Sequence, residues 1–224
     1  MTQHIASYRL FQLISPSLPI GGFTYSQGLE YAVEAGWVTD RTSMEEWLNY
    51  MVSSSVATLE LPIIDRLYRA LVQGELDQIE HWCDFLYSSR ETSELRAEEK
   101  QRGVALYSLL KKLDIDISIT DSISSHPNQL LGFCIAAREW QIELDDLKQG
   151  YLWSWLENIV MAGVKLVPLG QTDGQLAMIN VTETFPPIIE RANKIEQWRI
   201  GSFTPSIALA SSSHETQYTR LFRS

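Results

Sequence analysis

Leu10-Phe-Gln-Leu-Ile-Ser-Pro-Ser-Leu-Pro-Ile-Gly-Gly-Phe-Thr-Tyr-Ser-Gln-Gly-Leu29 is the stretch on which the fold turns. It carries no charge, yet it is no membrane span. Pro16, Pro19 and the pair Gly21-Gly22 interrupt it, and a lipid-exposed helix does not tolerate such breaks. The stretch therefore reads as the end of one helix, a rigid apolar loop, and a second helix beginning near Thr24. Gln27 stands three residues after Thr24, the spacing of a capping box. A loop this apolar must be covered, either by the chain's own core or by a partner.

Outward from this stretch the pattern is helical almost throughout. An opening helix is expected over 4–14, and the second over 24–35, stopped by Gly36. A third starts after Asp40, with Met44, Trp47, Leu48, Met51 and Val52 at helical spacing. Pro62 suits the first turn of a fourth that ends at Gly74. A fifth runs from Glu75 to about Tyr87. Ser93 to Lys112 forms a sixth, with Glu98 and Arg102 as an i,i+4 pair. Asp114-Ile-Asp-Ile-Ser-Ile119 alternates with period 2 but has no evident partner strand, so it reads as an extended connection. Further helices follow from Pro127 to Trp140, from Asp145 to about Val167, around 172–181, and after Pro186-Pro187. In the longest of these, Ala162 and Gly163 would admit a close neighbour. Gly201 to Ser213 holds five Ser and no charge and reads as a flexible strap. The expectation is an all-α fold, one bundle of eight to ten helices over 1–200, with a flexible C-terminal tail over 201–224.

Composition narrows the function. Of 224 residues, 45% are hydrophobic, enough for one packed core. Eighteen basic residues against 28 acidic ones leave a net charge of −10, which argues against nucleic acid as a partner. The charge is uneven: residues 199–224 hold Arg199, Arg220 and Arg223 against Glu215 alone. Cys83 and Cys134 have no C-x-x-C spacing and read as buried hydrophobes rather than a disulfide or thiolate site. No basic, apolar and cleavable leader opens the sequence, so a cytoplasmic location is expected.

Motifs for chemistry are scarce. There is no P-loop, no Gly-x-Ser-x-Gly elbow and no H-E-x-x-H, and His4, His81, His126 and His214 are dispersed. No cofactor or tight metal site is expected. Glu30 is either a solvated helix carboxylate or a polar group at an interface or cation passage. Lys165 either answers a helix C-terminal dipole or reaches a partner's surface. The tail gathers His214, Tyr218, Arg220, Phe222 and Arg223 within ten residues. Tyr and Arg are common interface anchors. The tail is expected to order on docking a partner, the other reading being a final helix packed on its own core.

Three blocks in order, Ser15 to Trp37, Met161 to Gln171 and His214 to Ser224, with a weaker one from Arg90 to Glu99, resemble the UreF family of urease accessory proteins. The resemblance spans nearly the whole chain. It implies an all-helical, non-enzymatic chaperone that dimerises. Such a protein binds UreD (UreH in some systems) and the GTPase UreG and acts with them on urease apoprotein, inserting nickel in a GTP-dependent step. Carried over, His214, Tyr218, Arg220, Leu221, Phe222 and Arg223 would face UreD, and Glu30 and Lys165 would belong to the UreG side or a nickel passage. Two other classes stay open: a GTPase-activating protein using Arg220 or Arg223, and a stand-alone nickel carrier.

Overall fold

The structure is a computed structural model and describes residues 3–224. Among these residues there are helices and no strands. In chain order they are α1 (Gln3–Ile14), α2 (Leu29–Glu34), α3 (Arg41–Met51), α4 (Leu61–Gln73), α5 (Leu76–Ser88), α6 (Ser93–Lys112), α7 (Gln129–Glu139), α8 (Leu144–Leu166), α9 (Gln171–Thr182), α10 (Phe185–Asn193) and α11 (Pro205–His214). A π-helical segment, Val52–Glu60, joins α3 to α4 without a break. Counting that rod once gives ten helices among the described residues.

Local chemistry explains most boundaries. The Asp40 carboxylate accepts the Ser43 amide at 2.8 Å, while the Ser43 hydroxyl accepts the Asp40 amide at 3.1 Å, a reciprocal cap that starts α3. Thr92 and Asn128 cap α6 and α7 one way only, their side-chain oxygens accepting the amides of Leu95 and Leu131. Gly74, with φ of 73°, ends α4 in the left-handed region. Within the rod, Pro62 has no N–H to give the carbonyl four residues earlier. That carbonyl, Thr58 O, instead accepts the Gly201 amide at 3.0 Å. The missing helical bond thus becomes an anchor for the C-terminal region.

The core centres on α7, whose residues from Gln129 to Ala137 are all buried between α4 and α6. α8 forms the second axis and packs on α1, α2 and α9. Small residues set the closest approaches. A Cβ on Gly163 would stand 2.4 Å from Met44 Sδ and 3.6 Å from Leu29 Cδ2, so the expected close neighbours of Gly163 are α3 and α2. Gly103 on α6 lies against backbone: its Cβ would meet Asn128 N at 2.4 Å. Both cysteines are free and buried. Burial pushes the Cys83 thiol up to about 12 and raises the Cys134 thiol well above its ordinary value.

Three expectations are corrected. The second helix does not start at Thr24, and the Thr24–Gln27 capping box does not form. Gly22–Thr24 is a single 3₁₀ turn, and Gln27 (φ 52°) and Gly28 (φ 85°) are both left-handed, which delays α2 to Leu29. The alternating stretch 114–119 buries Ile115 and Ile117 and then turns into a 3₁₀ segment, Ser118–Ser122. The strap expected over 201–213 is helical over Pro205–His214. Its inner face, Ile207, Ala210, Ser211 and His214, is buried, largely against α2. The apolar loop is covered in part: Leu18 and Ile20 are buried, while Phe23 points to solvent.

Two measurements check this packing. Gly103→Ala forces backbone apart and is expected to destabilise by about 1–3 kcal/mol, whereas Gly201→Ala, with nothing within 4 Å of its Cβ, should shift the melting temperature little. With both thiols held protonated by burial, a thiol-specific reagent at neutral pH should label neither cysteine in the native protein and both after unfolding.

Candidate functional site: a C-terminal segment seated on Glu30

The late start of α2 places Glu30 in its first turn, where the helix dipole favours a negative charge. Glu30 is 7% exposed, so its carboxylate oxygens need protein donors. The C-terminal segment supplies them. Glu30 Oε1 accepts the Leu221 amide at 2.6 Å, and Oε2 accepts the Phe222 amide at 2.8 Å. His214 Nε2 lies 3.1 Å from the same Oε2. On the other side of the ring, His214 Nδ1 is 2.6 Å from Glu94 Oε2, and Glu94 Oε1 accepts Arg220 Nη1 at 2.6 Å. One imidazole, fully buried, thus lies between two carboxylates.

Backbone pairing extends the seat. Ser26 donates both its amide (2.7 Å) and its hydroxyl (2.6 Å) to Ser224 O, and the Arg223 amide donates to Thr24 O at 2.9 Å. The Ser224 hydroxyl donates to Glu98 Oε2 at 3.0 Å. The Glu215 carboxylate accepts the amides of Ser93 and Glu94 at the start of α6 and the Ser93 hydroxyl at 2.6 Å. Those bonds, the Ser93 hydroxyl's first, hold the Glu215 carboxyl below its ordinary range. Lys165 Nζ stands 5.8 Å from the centre of the Phe222 ring, within cation–π reach.

Behind the seat lies a buried polar network. Gln27 donates to Glu98 at 2.9 Å and accepts the Trp155 indole N–H at 3.0 Å, and Arg102 pairs with Glu98 at 2.8 Å. Deeper in, Arg90 bridges Glu60 (2.7 Å) and Glu99 (2.8 Å). Burial works against the Arg90 charge, but the two carboxylates outweigh it and hold the guanidinium above its ordinary range. Residues of both networks line a cavity of about 40 Å³ that Thr204 and Ile207 also border.

The sequence-predicted residues Glu30, His214, Arg220, Leu221, Phe222, Arg223 and Lys165 therefore meet in one place. Tyr218 does not join them: it is 101% exposed, outside the end of α11. Ser26 and Glu94 belong to the site without having been singled out, and Glu98 stood out only as the helix partner of Arg102. Glu94 and Glu98 lie in the weaker block Arg90 to Glu99, and Ser26 lies in the first block. The arrangement holds a peptide segment through backbone amides and through the side chains of His214, Arg220 and Ser224, buries Phe222, and leaves Tyr218 and Leu221 exposed.

In Glu30→Ala the amides of Leu221 and Phe222 lose their acceptor. Trypsin is expected to cut after Arg220 about tenfold faster than in the wild type, the effect of roughly 1.4 kcal/mol of lost hydrogen bonding. Unchanged cleavage, at unchanged helicity by circular dichroism, counts against Glu30 as the seat.

A sequence model described as UreF matches residues 38–181. A protein of Alcanivorax borkumensis named urease accessory protein UreF is 47% identical over 227 residues, covering 98% of each chain. The protein of that name in Pseudomonas putida is 46% identical over 224 residues, covering 100% of both. That of Teredinibacter turnerae is 42% identical, over 96% of this chain and 97% of its own. With the family pattern spanning most of its length and such relatives nearly all of it, the chain belongs to the UreF family of urease accessory proteins.

Proposed function

We propose that this chain is a non-enzymatic chaperone and scaffold that works as a homodimer in the cytoplasm. With UreD (or UreH) and the GTPase UreG, it delivers nickel to urease apoprotein in a GTP-dependent step. Family membership supports the urease-related role. The observation that carries the docking part is the form of the C-terminal segment. Its backbone is fixed on Glu30, while Tyr218 and Leu221 turn large apolar side chains outward, 101% and 65% exposed. Leu209 on α11 and Phe23 in the neighbouring turn are exposed as well. A rigid backbone with outward aromatic and aliphatic groups lowers the ordering cost of binding and suits an anchor for UreD.

Glu30 acts in this reading through the segment it holds rather than by touching a partner, since it is buried. Lys165 is exposed beside that segment and is the member of the pair that can reach UreG. The scaffold couples nucleotide state to metal transfer by binding one state of UreG better than the other. Nickel is the cargo of this complex and not a resident cofactor of the chain.

Co-purification with UreD tests the reading. Truncation after Ile200 removes α11 and its buried face, so point variants are the better probe. The double change Tyr218→Ala and Leu221→Ala should weaken UreD retention by about tenfold or more, while Trp198→Ala, exposed but outside the segment, should not. Equal retention by the double variant with intact helicity removes the segment from the interface.

A further inference from the structure

His214 is held in a way that a neutral imidazole does not satisfy. A neutral ring has one N–H and one bare lone pair, and an ionised carboxylate only accepts. Here Nδ1 meets Glu94 Oε2 at 2.6 Å and Nε2 meets Glu30 Oε2 at 3.1 Å. Glu30 already accepts two backbone amides and Glu94 an arginine, and those donors call for ionised carboxylates. With one proton on the ring, one nitrogen would point a lone pair at a carboxylate in a site closed to water. With a proton on each nitrogen, both contacts become charge-assisted hydrogen bonds. The charges then balance: Glu30 and Glu94 against His214 and Arg220.

We propose that Glu94 and a doubly protonated His214 form a proton-dependent latch that holds the C-terminal segment against Glu30. Glu94 is the positioning residue. It grips the segment twice, through the ring of His214 and through the Arg220 guanidinium, and it approaches from α6 while Glu30 approaches from α2. The other charged groups around the ring have partners of their own or stand outside. On α6, Arg96 donates to Arg90 O and Glu98 is bound by Arg102, Gln27 and Ser224. Glu215 is taken up by Ser93 and the Glu94 amide. On α8, Lys165 lies over the Phe222 ring. None of these is shown bonded to the imidazole, so the two carboxylates decide its state. As pH rises and the ring loses a proton, one of its two bonds is lost and the cluster gains a net negative charge. The segment is therefore held at lower pH and loosened at higher pH. The latch deepens the proposed docking role by making the presented surface proton-sensitive, and it rests on that role only for its biological consequence.

The full-length chain alone is enough for the test, so its outcome is separate from any result with UreD. Nitrogen-15 NMR of the histidine rings, with His214 assigned through His214→Gln, reads the protonation state directly. Hydrogen exchange at the Leu221 and Phe222 amides, corrected for the intrinsic pH dependence of exchange, reads the latch. Where the two amides are fully protected, both ring nitrogens should carry protons. As pH is raised and the ring gives up its second proton, the protection of the two amides should fall about tenfold. In Glu94→Gln one carboxylate is gone and a neutral ring suffices, so protection should become nearly independent of pH. A role for Glu94 that is only structural would lower protection at every pH and leave its slope intact. A ring with a single proton while the amides are fully protected, or wild-type protection that does not change with pH, overturns the latch. Should Glu94→Gln not fold, those two wild-type measurements decide the matter on their own.

Discussion

The carboxylate of Glu30 is the constraint around which this end of the molecule is arranged. A buried acid must collect donors or lose its charge, and Glu30 collects them from residues about 190 positions away in sequence: Leu221, Phe222 and His214. That arrangement depends on the left-handed pair Gln27-Gly28. Had the second helix begun at Thr24, Glu30 would lie mid-helix, away from the unpaired first-turn amides that favour an acid. The break also brings Gly28 beside α11, where a Cβ would stand 3.2 Å from the Ala210 Cβ. A turn of four residues therefore sets the start of α2, the environment of Glu30 and the seat of α11 together.

The helices with strong local signals were legible in the sequence because each carries its own start and stop. Asp40 precedes one helix and caps it, Pro62 sits in a first turn, Gly74 ends a helix, and the apolar spacing of α3 and α8 follows the helical period. α11 was legible only as the second reading of the tail, a final helix packed on the core, and its sequence favours the flexible strap for a physical reason. Its Ser211-Ser-Ser213 stretch has weak intrinsic helix preference, and what holds it is tertiary. Ser211 shares a hydrogen bond with Thr92 at 2.8 Å, the residue that also caps α6, and Ile207, Ala210 and His214 are buried. Composition marks such a segment as a linker because composition does not contain its contacts.

The site was legible as a set of residues but not as a geometry. The family resemblance pointed to Glu30, Lys165 and the C-terminal residues and divided them between two partners. The fold places all of them except Tyr218 in one cluster. No periodicity or spacing carries that information, because the pairings run between α2, α6, α8 and the C-terminal segment. Glu94 was passed over since an acid in the first turn of a helix has a sufficient local explanation in the helix dipole. Its second role appears only once His214 and Arg220 are seen to converge on it.

The same geometry explains why the C-terminal region is structural as well as presented. Thr204 and Ile207 border the small polar cavity that Glu60, Glu98, Glu99, Arg90 and Arg102 line. Gly201 completes the hydrogen bonding of the rod at Thr58, and Ser224 bonds to Glu98. Removing the region would open a buried ion-pair network to water and leave Thr58 O without its donor. The division of labour within the region follows from this. Residues 201–214 close the core, residues 220–224 lie in the seat on α2 and α6, and Tyr218 with Leu221 is left for contact. In the proposed docking role, a partner that took hold of Leu221 would pull on a residue whose own amide, like that of Phe222, is accepted by Glu30. In that role the link between the exposed Leu221 side chain and the start of α2 is the pair of hydrogen bonds to Glu30.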